Sequence, residues 1–193
     1  MRHSKINGHL CKIAGGVSPS CYWLKHTLGK HCLGHFFEAG NVGTGHIVPC
    51  HTVFGSGMTG KLFAVIREKM SLCYDIGSTY HGSKGIVTVG AGIDFDKEEQ
   101  VVQEVLHQLQ LCRDGHISDA ELTSAKQAII SQLKATHDSP GAIENYYGTV
   151  ALSGLGLSPA QYIAAVEQVS REQVAAAAQT LELHTRYFLK GVQ

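Results

Sequence analysis

The sequence contains no His-x-x-Glu-His motif, a pattern in which two histidines bind a catalytic zinc ion and the glutamate acts as base. It also has no Cys-x-x-Cys pair and no apolar run long enough for a signal peptide or a membrane span. The chain is therefore not predicted to hold a catalytic zinc of this kind, a zinc finger or a membrane-spanning helix.

An excess of one charge is also missing, because 16 Lys and Arg residues balance 16 Asp and Glu residues. This balance argues against nucleic acid or an anionic membrane as the main partner. A length of 193 residues with 44% hydrophobic and 17% charged residues suits one globular domain. Six cysteines without a signal peptide predict a cytoplasmic, reducing setting, in which Cys73 and Cys112 are packing residues with free thiols.

The composition divides the chain near residue 51. Residues 1–50 hold five Lys or Arg against one Asp or Glu, and residues 1–51 hold seven of the 12 histidines. This first part shows no sustained helical or alternating period, whereas the local patterns beyond it agree with one another. We interpret residues 1–51 as an atypical lead-in, either a shifted reading frame or a decayed segment, and residues 52–193 as the domain proper.

The second part predicts an α+β fold with a mostly antiparallel sheet and helices packed on one face. Residues 52–69 are predicted as a loop that leads into a helix. Residues 72–80 and 85–93 are rich in β-branched or aromatic residues and bounded by glycine, so they predict a hairpin. The segment 85–93 is either a sheet edge open to an extended peptide or a fully paired strand.

Five helix starts follow the hairpin, and a strand at 185–189 closes the chain. Each start combines a small polar residue with Glu or Gln three positions on, or with proline in the first turn. The predicted starts are Asp96 with Glu99, Ser118 with Glu121, Ser139-Pro140, Ser158-Pro159, and Ser170 with Gln173. The first helix is expected to end near Asp114-Gly115 and the second near Thr136.

Arg67 and Tyr74 stand seven residues apart, after the glycine-rich segment 55–63 and before the hairpin. This order resembles the carboxy-terminal half-unit of the insulinase/pitrilysin zinc metallopeptidases, over residues from about 52 to 191. The resemblance implies two similar α+β halves around a chamber, one half carrying zinc. It further implies that Arg67 and Tyr74 are the substrate-binding residues of the other half, and that this chain supplies no catalytic residue and no metal ligand.

A partner is therefore expected, because zinc would come from the complementary half or from a partner subunit. Residues 138–147 and 187–191 look most like the non-zinc subunit of members in which the two halves are separate chains. The chain would then be inactive alone and work as a heterodimer on a peptide substrate. A permanent guanidinium charge and a phenol hydroxyl are both suited to stabilise negative charge that develops on a peptide carbonyl oxygen.

Two metal-binding alternatives start from the first part of the chain. His35 and Glu38 stand as in a zinc helix, but Ala39 replaces the second histidine and nearby glycines oppose a helix. A structural metal site is the other alternative, because the first part of the chain contains Cys and His residues, but they do not have the spacing of a zinc finger. Those candidates are Cys11, Cys21, His26, His31, Cys32, His35, His46, Cys50 and His51.

Three functions remain open at this point. The preferred one is the non-zinc half of a peptidase. The second is a structural or scaffolding member of the same fold without a proteolytic partner. The third, a stand-alone zinc enzyme that uses the amino-terminal histidines, is the least favoured because the ligand spacing is wrong.

Overall fold

The described residues form a four-stranded antiparallel sheet as one layer of the protein, in the strand order β2-β3-β1-β4. The computed structural model describes residues 31–39, 44–153 and 156–189. The strands are β1 (His31–Ala39), β2 (Cys73–His81), β3 (Ile86–Ile93) and β4 (Leu181–Leu189). Within the described ranges, β2 and β4 are the edges of the sheet.

Helices form the second layer and pack on one face of this sheet. They are α1 (Thr44–Gly55), a π-helix (Phe63–Lys69), α2 (Glu98–Arg113), α3 (Asp119–Ala135), α4 (Pro140–Ser153), α5 (Pro159–Glu167) and α6 (Arg171–Gln179). Alternate residues of β3 are buried against the helices, as a sheet with one covered face requires. The predicted α+β class with helices on one face is confirmed.

Most of the core that the described residues form is one large cluster of apolar side chains between the sheet and α1, α2 and α6. Val87, Val89 and Ile93 of β3 belong to it, with Phe54 of α1 and Val105 of α2. A smaller cluster joins α3 to α5 through Ile129, Leu133 and Val166. The predicted packing role of Cys112 is confirmed, because this free thiol is fully buried in the large cluster.

Capping boxes are present at three of the predicted helix starts. The hydroxyl oxygens of Ser118, Ser158 and Ser170 each accept a hydrogen bond from the backbone N–H three residues on. The Glu or Gln side chain at that position in turn accepts a hydrogen bond from the N–H of the serine. Helix α4 begins at Pro140 as expected, and α2 ends at Arg113 ahead of Gly115, whose φ is 75°. The closing strand is also confirmed, although it begins at Leu181 rather than at residue 185.

The loop predicted for the start of residues 52–69 is wrong, because α1 continues to Gly55. Pro49 and the neighbouring glycines lower the helix propensity, which hid this helix in the sequence. Burial overrides that propensity, since Ile47, Cys50 and Phe54 recur on one face and are fully buried. Helix α1 also runs across residue 51. The interpretation of residues 1–51 as a shifted reading frame or a decayed segment stays a prediction.

Of the two alternatives left open for residues 85–93, the fully paired strand is confirmed, because β3 pairs with β2 on one side and with β1 on the other. One further sequence-based expectation is wrong. Asp96 does not cap α2: it lies in a short 3₁₀ turn, Phe95–Lys97, and the helix starts at Glu98 without a side-chain cap. The described helices include none with the length and hydropathy of a bilayer span.

His51, on α1, is buried, with 9% of its surface exposed. Its ring centre lies 6.5 Å from that of Tyr80 on β2, and its buried Nε2 atom has no hydrogen-bond partner within the described part of the chain. Burial disfavours the charged imidazolium and so lowers the pKa of His51 below its ordinary value of 6.5.

Acid should therefore destabilise the fold through His51. The unfolded chain binds a proton near pH 6.5 while the folded chain resists it, so stability that is present above that pH is lost as the pH falls. We expect His51→Gln to lose less unfolding free energy than the native chain between pH 7 and pH 5, measured by urea titration. His137→Gln, at an exposed position, is the control and should follow the native curve. Parallel curves for the native chain and His51→Gln would contradict this account.

Candidate functional site

A close backbone approach sets the position of the helix that carries Arg67. A Cβ atom on Gly60 would lie 2.9 Å from the Cα atom of Gly55, and one on Gly55 would lie 2.7 Å from Leu62 Cδ1 and 2.8 Å from Ser78 Oγ. Only glycine leaves this space, so the end of α1, the next helix and β2 can meet. Close packing thus explains why glycine occupies positions 55 and 60 of segment 55–63.

Arg67 lies in the last turn of the π-helix Phe63–Lys69, a rare geometry that is frequent at functional sites. Its guanidinium lies over the Phe63 ring, with Cζ 4.8 Å from the ring centre, and forms an ion pair with Glu68. The Nε atom donates a hydrogen bond of 3.1 Å to the carbonyl oxygen of Tyr74. The side chain remains 41% exposed, so a ligand can reach it.

A left-handed residue reverses the chain between the π-helix and β2. Ser71 has a φ of 53°, and among the described residues it is the one non-glycine with a positive φ. Its N–H donates to the carbonyl oxygen of Arg67 at 3.2 Å. This turn brings Tyr74 back beside Arg67.

Tyr74 sits at a β-bulge. The pairing shifts there, because Cys73 faces Ile93 whereas Asp75 faces Gly92, which leaves Tyr74 as the extra residue of β2. A bulge re-aims side chains and is typical of strands beside active sites. Tyr74 is consequently 54% exposed although it lies in a strand.

The hydroxyl of Tyr74 is held by the residue that follows β3. It donates a hydrogen bond of 2.7 Å to Oδ1 of Asp94, whose Oδ2 forms an ion pair of 2.9 Å with Nζ of Lys97. The hydrogen bond and the negative charge of Asp94 raise the pKa of Tyr74 above its ordinary value. The hydrogen bond to Asp94 likewise raises the pKa of Lys97, so both groups keep their protons at neutral pH.

These residues line one open cleft of about 450 Å³, which we call the Arg67–Tyr74 cleft. Its polar lining consists of Arg67, Glu68, Ser71, Tyr74, Asp94 and Lys97. The structure therefore brings the two predicted substrate-binding residues together. Two cations and two carboxylates balance in the lining, so the cleft is polar without a net charge.

Comparison with known proteins identifies the family of the chain. The family described as the peptidase M16 inactive domain matches residues 50–129. YmfF of Bacillus subtilis, named an inactive metalloprotease, is 30% identical over 141 residues, which are 73% of this chain and 33% of YmfF. The chain belongs to the insulinase/pitrilysin (M16) peptidase family. Within that family it matches the domain described as inactive.

Solved structures show the same fold for this M16 domain. A conserved protein from Enterococcus faecalis is 26% identical with a TM-score of 0.78, covering 86% of this chain and 40% of that one. The inactive peptidase domain of a protein from Bordetella parapertussis has a TM-score of 0.67 at 16% identity, covering 85% and 95%. The chain spans about a third of the length of YmfF.

The described part of the M16 domain does not fit zinc. None of its groups of His, Cys, Asp and Glu is arranged to hold a metal ion. His35 and Glu38 lie in strand β1, whereas the zinc motif needs a helix to present its ligands on one face. Cys11, Cys21 and His26 lie outside the described residues.

Sequence reasoning missed Asp94 and Lys97, which complete the cleft. Asp94 is followed three residues later by Lys97 rather than by Glu or Gln, so no capping pattern marks it. The hairpin register contained a usable indication, since residues that follow β3 must lie beside residues that begin β2. Cys73 at the same place is half-buried, and burial raises the pKa of its thiol to about 11, which suits a packing residue.

The strained backbone of Ser71 can be tested in the M16 domain. A left-handed conformation costs an L-residue about 1–2 kcal/mol, and a β-branched side chain makes it worse. We expect Ser71→Val to lower the unfolding free energy by about 1–2 kcal/mol, whereas Ser71→Gly should leave it unchanged or raise it slightly, measured by urea titration.

Ser124, inside helix α3, is the matched control. There glycine should destabilise the protein by about 0.5 kcal/mol, because glycine is unfavourable inside a helix. Equal losses for Ser71→Gly and Ser124→Gly would contradict the left-handed strain.

Proposed function

We propose that this M16 domain is the non-zinc half of a composite metallopeptidase, in which Arg67 and Tyr74 bind the peptide. The observation that carries the proposal is the convergence of both side chains on one open cleft. Arg67 comes from the π-helix and Tyr74 from a bulged strand, yet a hydrogen bond joins them and both remain exposed. Zinc and the catalytic base are assigned to the complementary half.

Arg67 has donors left for a substrate. The contacts described above use its Nε–H and its Nη1 group, and a guanidinium carries five N–H donors. The Nη2 group can therefore donate to a peptide carbonyl oxygen. Because these donors form a fixed fork with a permanent charge, they also suit an oxygen on which negative charge develops.

The charge balance of the cleft favours peptide backbone over charged side chains. Lys97 pairs with Asp94 and Arg67 pairs with Glu68. Because each positive charge is already balanced within the cleft, the cleft does not require a negatively charged ligand. A volume of about 450 Å³ lies in the range of small-molecule sites and can take a short stretch of peptide. We therefore propose a peptide substrate, bound in a cytoplasmic heterodimer with a zinc-bearing chain.

The test mixes the purified chain with a second purified M16 chain, one that carries the His-x-x-Glu-His motif and is encoded next to the gene of this protein. Association is followed by gel filtration, and cleavage by a mixture of quenched fluorescent peptides. We expect neither chain to cleave alone and the mixture to be active. Arg67→Ala should lower kcat/KM about 100-fold, the scale of removing one oxyanion donor, and Tyr74→Phe about tenfold.

Two matched controls make this test specific. Arg171 on α6 is 41% exposed and ion-paired like Arg67, and Tyr147 on α4 is 48% exposed. Arg171→Ala and Tyr147→Phe should keep the native rate. Cleavage by the purified chain alone would contradict the proposal. A complex that forms but never cleaves, or that ignores the changes at Arg67 and Tyr74, would favour the scaffolding alternative.

A further inference from the structure

Three neighbours hold the guanidinium of Arg67. Its Cζ atom lies over the Phe63 ring, 4.8 Å from the ring centre, its Nε atom donates to the carbonyl oxygen of Tyr74, and its Nη1 atom pairs with Glu68. Held in this way, the guanidinium has a defined direction in the cleft, although 41% of the side chain is exposed.

The ion pair and the ring differ in how firmly they are supported. Glu68 is exposed, and an ion pair at such a surface position contributes little, because two long side chains must be ordered to form it. Phe63, by contrast, is partly buried and packs against the large apolar cluster. The core therefore fixes the ring, and the ring gives Arg67 a rigid surface.

The helix places this ring beside the guanidinium. Phe63 and Arg67 are four positions apart in the π-helix, and residues at that spacing lie on the same side of a helix, about one turn apart. An aromatic ring carries partial negative charge on its face, which attracts a cation above it. The ring itself lies outside the lining of the Arg67–Tyr74 cleft, so its influence on a bound peptide passes through Arg67.

We propose that Phe63 is a positioning residue, whose ring face holds the Arg67 guanidinium in place for a peptide carbonyl oxygen. An arginine that is fixed before binding loses less side-chain freedom when the peptide arrives, which strengthens binding without a new contact. The inference rests on the proposed function and deepens it, because it adds to the site a residue that acts on the peptide through Arg67.

Fluorinated phenylalanine separates this role from ordinary packing. Each fluorine withdraws electron density from the ring face and weakens its attraction for a cation, while the ring and nearly all of its size remain. Mono-, di- and trifluorophenylalanine are therefore introduced at position 63 by amber suppression. Phe188, which is also partly buried against the large apolar cluster, receives the trifluorinated residue as the matched control.

The first measurement needs only the purified full-length chain, labelled with ¹⁵N-arginine. The exchange of the Arg67 Nε–H proton with water is followed by NMR, and its resonance is assigned with Arg67→Lys. Trifluorophenylalanine at position 63 should make this exchange about threefold faster, because a guanidinium without its cation–π contact breaks its hydrogen bond to Tyr74 more often. Arg171, which is equally exposed and also ion-paired, should not respond. Unaltered exchange at Arg67 would overturn the proposal.

The second measurement uses the composite peptidase of the proposed function. The value of kcat/KM should fall with each added fluorine, to about one third of the native value for the trifluorinated ring, which is the scale of a cation–π pair at a partly exposed site. This fall should vanish in an Arg67→Ala background, because the ring then has no cation to hold. The trifluorinated Phe188 control should keep the native rate. A fall that persists without Arg67 would also overturn the proposal.

The failure of this inference can be told from the failure of the proposed function. If Arg67→Ala and Tyr74→Phe impair cleavage but fluorination at position 63 does not, the proposed function stands and the positioning role falls. If fluorination speeds the exchange at Arg67 but no mixture cleaves any peptide, the contact between ring and guanidinium stands. In that case the proposed function falls, and with it the role in peptide binding.

Discussion

The hydrogen bond from Arg67 Nε to the carbonyl oxygen of Tyr74 joins the end of a helix to the start of a strand. Its two partners are brought together by a left-handed Ser71 and by the bulge at Tyr74. A regular strand pairing would turn the Tyr74 side chain away from this position, because side chains alternate between the faces of a sheet. The cleft therefore depends on this single local reversal.

The rest of the fold makes the reversal rigid. The π-helix buries Ile66 in the core, and β2 buries Ile76 on the face that the helices cover. Both anchors lie in the largest apolar cluster, so the chain between them has little freedom to open. The exposed polar groups of the cleft stand on these buried supports, as a preorganised site requires.

Much of the architecture could be predicted from local patterns. The serine capping boxes and the glycine-bounded hairpin are properties of a few neighbouring residues, and the structure contains them. Helix α1 could not be predicted, because its low propensity is overridden by burial that only the folded chain reveals. Local patterns do not mark Arg67 and Tyr74 as functional either, and the family resemblance is what indicates them. Asp94 can be placed beside Tyr74 only from the strand register, because their hydrogen bond joins residues 20 positions apart.

Under the proposed function, Tyr74 meets a peptide inside a chamber closed by another polypeptide. A photo-crosslinking amino acid, p-benzoylphenylalanine, can replace Tyr74, with the same replacement at the exposed Tyr147 as reference. With the zinc-bearing chain and a labelled peptide present, the account predicts strong peptide crosslinking from position 74 and little from position 147. Equal crosslinking from both positions, or none from position 74 in a complex that cleaves peptides, would contradict it.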